Sequence, residues 1–487
     1  MNYKVKDTKN TMLSIFFYEG FVRILSYSTH IILSFLLIKE DFAILAILAS
    51  INLYICGFKD FGIYQYLITS KNLDKDSYLV LRVSFLLNLV AFLIVCFLSI
   101  LLSKVYSDWR LFYLIIGINI LMPLNSYITI LKIPFYIKKQ FNFIGKINFF
   151  SNLIAVIFLT MFLIFGYGIF SLLIYQFAIT FISLILIIPK AKKIKKIKSN
   201  FRIILNLIKK IRWLIFNNFS LNISNQGNLL VLIFLLNPKD LAILYFAIRL
   251  YEVIAIYFGN SINHVMIPYF INEKKKNKNI SNVFIHSSYI VNLCAGIFTI
   301  IAILILPTIV NIAWSSKWNE SIILFILMMS TFPIAAVNVG LSVNFLNFKR
   351  KFKDIFLIKS FEGLLLIIFT LIGTYFYGLY GSVMVIVLHK TIFTLYAFIK
   401  SMFLVSSSLT DVLSAIIRQN LSLVIILAIV YFNYSQIYNL NISHEKQILN
   451  SLFFTLVGLM IYVSIHFLIN RNLLIFVWKY TKKKIKL

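Results

Sequence analysis

The sequence predicts an all-α polytopic membrane protein with about 14 transmembrane helices, and three observations carry that prediction. Hydrophobic residues make up 61% of the 487 positions and charged residues only 13%. Soluble chains are about one quarter charged, so too little polar surface exists here to cover a globule in water. Apolar stretches of about 20 residues, the length that crosses a bilayer, recur with short polar breaks. Finally, 47 Lys+Arg stand against 16 Asp+Glu, a net charge of +31, and these cations sort by side. Cytosolic enzymes, disulfide scaffolds and disordered chains are excluded. Cys56, Cys96 and Cys294 lie in apolar runs without CxxC spacing and read as small core residues.

The first span, 12–38, follows Lys4, Lys6 and Lys9. That is how a signal peptide opens. The run continues past Glu19 and Arg23 to Leu37 without a small-residue cleavage site, so it reads as an uncleaved helix. Further spans are predicted at 42–68, 78–103, 111–133, 144–166, 168–189, 213–236, 241–270, 282–306, 320–346, 355–375, 378–404, 419–434 and 447–470. The span at 419–434 has the shortest apolar core, Leu421 to Phe432. With the N-terminus inside, 33 cations fall on inside segments and 6 on outside segments. This is a strong positive-inside pattern, and it puts both termini in the cytoplasm. Ten of the inside cations lie in 190–212, where orientation and contact with anionic headgroups are their plain role. Trp109, Trp213, Trp314, Trp318 and Trp478 fall at predicted helix ends, as in an aromatic belt. No break is long enough for a folded extramembrane domain.

The chain also repeats itself. Asp41-Phe42-Ala43-Ile44-Leu45 opens the second span, and Asp240-Leu241-Ala242-Ile243-Leu244 opens the eighth, 199 residues later. Lys138-Lys139-Gln140-Phe141 precedes the fifth span as Lys349-Arg350-Lys351-Phe352 precedes the eleventh, 211 residues on. Tyr167-Gly168-Ile169-Phe170 and Tyr377-Gly378-Leu379-Tyr380 join the next pairs, and Pro123 corresponds to Pro333. Six spans separate the partners. The expectation is therefore two parallel six-helix repeats forming two lobes around a central cavity, plus two extra C-terminal helices. The boundaries are a lobe at 1–190, a basic linker at 191–212, a lobe at 213–404 and an appendage with a basic tail at 405–487.

At several of these residues the chain resembles a known family. Lys39-Glu40-Asp41-Phe42-Ala43, Lys59-Asp60-Phe61-Gly62-Ile63, Leu244-Tyr245-Phe246-Ala247-Ile248-Arg249-Leu250, Pro268-Tyr269-Phe270 and Lys317-Trp318 look like motifs of the polysaccharide-transporter (Wzx-type, O-antigen) flippases. These belong to the multidrug/oligosaccharidyl-lipid/polysaccharide exporter superfamily. Ile243 stands where the family usually has glycine, and glycines are few. The resemblance implies a non-enzymatic transporter of the bacterial inner membrane, one that moves undecaprenyl-diphosphate-linked oligosaccharide between leaflets. It implies a polysaccharide polymerase as protein partner, and neither a cofactor nor a nucleic acid.

Ionisable groups inside spans are the candidate site, because they are costly in lipid. Arg23 and Arg249 come first, since guanidinium forks suit diphosphate oxygens. Glu19 (i,i+4 from Arg23) and Glu252 (i,i+3 from Arg249) are placed to hold them when empty. Lys359 with Glu362, and Lys390, read equally as substrate contacts or as snorkelling and structural pairs. Asn218, Asn222 and Asn225 lie on one face of the seventh span, where amides would meet sugar hydroxyls or neighbouring helices. Asn263-His264 and Asn338 are weaker versions. Asp60 and His389 are candidate ion-coupling residues. Six histidines without paired ligand spacing give no metal site. Two alternatives remain at this stage: an ion-coupled multidrug exporter of the same superfamily, and a membrane-embedded polysaccharide polymerase. The outside stretches near 307–319 and 435–446 are short for the catalytic loop of the latter.

Overall fold

In a computed structural model the protein is described at residues 5–59, 66–67, 72–138, 140–191, 194, 201–275, 280–314, 317–337, 341–349, 351–404, 424–428 and 444–469. Among these residues there are helices and turns and no strand. Leu-, Ile- and Phe-rich segments in lipid satisfy their backbone polar groups only within themselves, which leaves the helix as the solution. The chain divides into two compact units, Met1–Ile233 and Phe234–Leu487.

The first unit holds α1 (Val5–Leu36), α2 (Lys39–Lys59), α3 (Leu73–Val105), α4 (Arg110–Asn119), α5 (Met122–Ile137), α6 (Phe141–Ile164), α7 (Ser171–Ile187) and most of α8 (Phe201–Leu235). Helix α6 packs on α1 and α7. Leu79, Val80 and Val83 of α3 meet Ile130 and Ile133 of α5 and Ile204 and Leu207 of α8 in one buried cluster. The Tyr106 hydroxyl at the end of α3 donates to the Ile233 carbonyl, and burial pushes that phenol up to about 12.

The second unit holds α9 (Pro238–Lys275), α10 (Ile280–Trp314), α11 (Asn319–Ser330), α12 (Phe332–Val337), α13 (Val343–Phe348), α14 (Phe352–Phe403) and α15 (His444–Ile469). Its core is aromatic. Phe345 packs on Phe284 and Phe270 with ring centroids 4.7 and 5.5 Å apart, and Phe284 stacks on Phe398 at 5.8 Å. Large apolar side chains cover the outer surfaces, including Phe97, Ile164, Ile185, Met460 and Leu468. Seven of the described helices are long and apolar enough to cross a membrane. This is a multi-pass membrane protein.

The repeated motifs adopt repeated conformations. Gln140 caps α6 at φ −82°, ψ 50°, and Lys351 caps α14 at φ −86°, ψ 52°. At the first corner the Gln140 N–H donates to Phe135 O and the Lys138 N–H to Pro134 O. At the second, Lys351 donates to Leu346 O and Lys349 to Phe345 O. Gly168 and Gly378 both sit in the left-handed region, at φ 52° and 56°, where a Cβ would be strained. Pro123 and Pro333 are each the second residue of a helix that restarts after a break, as α5 and α12.

Several predicted spans differ from the structure. The fourth span is broken at 120–121, and the tenth is broken at Thr331, between α11 and α12. A proline cannot donate to the preceding turn, so each helix stops and begins again around it. The eleventh and twelfth spans run as one 52-residue α14. At 1.5 Å per residue that is about 78 Å, more than twice a bilayer core. The non-helical torsions of Gly378 break it into two lengths that each suffice. The seventh span starts at Phe201 instead of 213, because Ile204, Leu207 and Ile208 give part of the basic linker an apolar face. Trp318 does not belong to a lipid-facing belt. It is fully buried and stacks on Phe246 at 4.4 Å. Of the predicted thirteenth span only 424–428 is described, as helix, and the tail with Trp478 lies outside the described residues.

Candidate functional site

In the second unit, α9 begins with a run from Leu241 to Ala247 that is nearly wholly buried. Arg249 follows two residues later. Its Nη1 donates to Glu252 Oε2 at 2.5 Å, and the guanidinium carbon lies 4.6 Å from the Tyr245 ring centroid. The Arg249 Nε is buried with no hydrogen-bond partner among the described residues. Next on α9, the Tyr251 ring is covered by Lys390 Nζ at 4.2 Å from its centroid. Lys390 comes from α14 beyond the Gly378 break. Its neighbour His389 places Nε2 2.8 Å from the backbone oxygen of Glu362. The Glu362 carboxylate accepts from Lys359 Nζ at 2.8 Å, and both residues of that pair are 8% exposed.

These contacts join α9 and both lengths of α14 into one charged cluster. Arg249 and Lys359 each have a carboxylate. Lys390 has none among the described residues, and its charge rests on an aromatic face. The cluster therefore carries one cation more than its own carboxylates balance among the described residues. An anion with several acceptor oxygens is the ligand such a cluster can take.

The first unit has a smaller polar site. Arg23 of α1 lines a cavity of about 190 Å³ with Tyr18, Val22, Gly145 and Asn148. Asn148 Oδ1 accepts from Lys132 Nζ of α5 at 2.8 Å. Gly145 permits the approach of α1 to α6, since a Cβ there would stand 2.8 Å from Tyr18.

The expected Arg249–Glu252 and Lys359–Glu362 pairs thus form, and Lys390 and His389 join them. Asp60 and Asn338, and the side chains of Glu19, Lys59, Asn218, Asn222, Asn225, Asn263 and His264, lie outside what the structure describes. Sequence reading missed Lys132, although a single lysine inside the apolar run 111–137 was signal enough. It also missed Tyr245 as a ring platform, which its spacing of four residues from Arg249 allows, and Tyr251, whose partner Lys390 comes from another helix. Asp41, part of the motif after the first helix, has a structural role: Arg110 Nη1 bridges to its Oδ1 at 2.7 Å and also grips Asp108. Hydrogen bonds from Arg110 hold the Asp108 carboxyl below the usual carboxylate range. In the second unit the corresponding helix starts are joined by Trp318 on Phe246 and by Ser321 Oγ donating to Ile243 O at 2.9 Å.

Residues 32–323 match the model of the family described as polysaccharide biosynthesis protein, which is more than half of the chain. The chain belongs to this family. The matched stretch takes in every motif that carried the resemblance, from Lys39 to Trp318. It also includes Arg23's neighbours on α6 and the Arg249–Glu252 pair, whereas Lys359, His389 and Lys390 lie beyond it. Among solved structures, a lipid II flippase, MurJ, in an inward closed conformation is similar at a TM-score of 0.68 and 15% identity. The alignment covers 94% of this chain and 99% of that one. At that identity the likeness is one of fold. Two MATE crystal structures, with Br-NRF and with MaL6, align at TM-scores of 0.41 and 0.44 and 12% and 13% identity. They cover 81% of this chain and 94% and 95% of theirs. No curated protein matches the sequence.

Proposed function

We propose that this family member is a flippase of the bacterial inner membrane. It moves undecaprenyl-diphosphate-linked oligosaccharide between leaflets by alternating access, for surface polysaccharide biosynthesis. The observation that carries the reading is the charged cluster on α9 and α14, with Lys390 stored on Tyr251. A diphosphate cannot cross hydrocarbon unaided, because an isolated charge there costs many kcal/mol. A cation held on a ring can pass to a phosphate oxygen when substrate arrives, since the ring is a weaker partner than an anion. Arg249 then contributes its fork and Glu252 gives it up. The cluster stays compact when empty because each cation has an internal partner. Whole-chain likeness to a protein named as a lipid II flippase supports the same class of cargo. Restarted helices at Pro123 and Pro333 supply bending points for the two lobes. The 213–404 lobe, the polymerase partner and ion coupling through Asp60 or His389 complete the proposal. A cluster with surplus positive charge argues against a cationic drug as cargo.

The test is a reconstituted assay. In proteoliposomes carrying a fluorescent undecaprenyl-diphosphate oligosaccharide, the inner-leaflet pool should lose its protection from an externally added membrane-impermeant quencher only when the protein is present. Lys390→Met and Arg249→Ala, folded and inserted, should lower the flipping rate at least about tenfold, as expected when a charged hydrogen-bonding partner is removed. Wild-type rates from both variants would refute the site. Absence of flipping by the wild-type protein would refute the function.

A further inference from the structure

A second cavity lies in the first unit, between α3, α5 and the start of α8. Its volume is about 570 Å³, within the range of small-molecule sites. Leu81, Phe85, Leu124, Tyr127, Ile130 and Ile204 form its walls. The cavity is open, and Phe85 and Leu86 on its rim are exposed on the lipid-facing surface. Its polar features are few and placed apart. Arg82 is the cation in the lining. Ser84 and Ser126 lie at the floor, where both hydroxyls accept from Asn88 Nδ2, at 3.2 and 3.0 Å. The Asn88 Oδ1 is buried without a hydrogen-bond partner among the described residues.

Depth and charge select the occupant. Arg82 is nine residues into α3, so its Cα is about 14 Å from the start of that helix. An arginine at that depth snorkels to headgroup level while its stem covers apolar surface. Its guanidinium lies 5.3 Å from the Tyr78 ring centroid, one turn closer to the helix start. Arg202, two residues before groove-lining Ile204, is exposed, as are Lys209 and Arg212 of the same helix. An open, largely apolar slot with Arg82 in its lining fits an acyl chain carrying a negative head. We propose that this groove holds an anionic phospholipid of the leaflet facing the basic 190–212 segment. One acyl chain lies against α3 and α5, and the phosphate rests on Arg82. The bound lipid joins the restart of α5 at Pro123 to the amphipathic beginning of α8.

The experiment uses the full chain in phosphatidylcholine nanodiscs containing a trace of a photoactivatable diazirine-chain lipid. Phosphatidylglycerol and phosphatidylcholine versions of the probe are compared at equal mole fraction. Phosphatidylglycerol should label peptides spanning 81–86 and 124–130 about fivefold more, the worth of one cation beside an anionic headgroup. Arg82→Gln should bring its labelling down to the phosphatidylcholine level. Leu124→Trp, which fills the slot, should remove labelling by both probes while each variant keeps wild-type thermal stability. If Arg82→Gln does not fold, unlabelled phosphatidylglycerol should still compete with the probe on the wild-type protein, and undecaprenyl phosphate should not. Equal labelling by the two probes, or labelling outside these peptides only, would overturn the proposal. Stronger competition by undecaprenyl phosphate would overturn it too, by giving the groove to the prenyl carrier.

Discussion

Lys390 and Arg249 show how a membrane protein keeps cations in a dry interior: one on the face of Tyr251, the other against Glu252. The Arg249–Glu252 pair makes a mutational prediction. Glu252→Gln leaves a buried guanidinium unpaired and should destabilise the protein by about 3 kcal/mol, read as a lower melting temperature in detergent. The double variant Arg249→Met/Glu252→Met should recover most of that loss, because breaking a buried pair is worse than removing it. Asp108 gives a pH prediction. Arg110 holds its carboxyl below the usual range, so its contribution is present above that range and is lost as pH falls through the depressed value. Stability should be flat in this respect from about pH 8 to pH 5 and decline below about pH 4. Asp108→Asn should remove under about 1 kcal/mol of that decline, since the pair is partly exposed. The ion pairs on α9 and α14 were legible in sequence because i,i+3 spacing within one helix fixes proximity. Lys390 on Tyr251 and Lys132 on Asn148 were not. Each joins residues from different helices, and hydrophobic periodicity says nothing about which helices meet.

Helices were legible by length and apolarity, and their interruptions were not. The two prolines were visible, but sequence does not say whether a proline kinks a span or stops it. Here each stands second in a new helix. The eleventh and twelfth spans looked separate because of Tyr377-Gly378, yet the helix continues on both sides with Gly378 alone out of register. That geometry makes a clean torsional test. A Cβ at Gly378 meets no atom within 4 Å, and at Gly168 the nearest is Asp41 Oδ2 at 4.0 Å. Gly168→Ala and Gly378→Ala should therefore each cost about 1–2 kcal/mol from backbone strain alone, and by similar amounts in thermal melts. A large difference between them would mean that the two corners are not equivalent in energy. The basic linker was misjudged for a related reason. Its lysines drew attention from the isoleucines between them, which seat the start of α8 on α3 and α5.

For the whole chain, composition alone identified a lipid-solvated helical protein, and the family match bears out the resemblance read from its motifs. Orientation rests on the 33-to-6 distribution of cations. A reporter fused after Leu487 should therefore be active only in its cytoplasmic form, and a periplasmic signal would overturn the span count. Loss of the gene should accumulate a lipid-linked oligosaccharide on the cytoplasmic leaflet and deplete surface glycan. An intact surface with no accumulation would sink the flippase reading. The paired corners at Gln140 and Lys351 add a consequence of another kind. One is a neutral amide and the other a cation, yet their backbone angles agree within a few degrees. The chain path at these corners is therefore written in torsion angles and carbonyl positions instead of side-chain identity. Residues 138–144 and 349–355 should be interchangeable parts, leaving each half free to acquire its own surface chemistry without redesigning the bend.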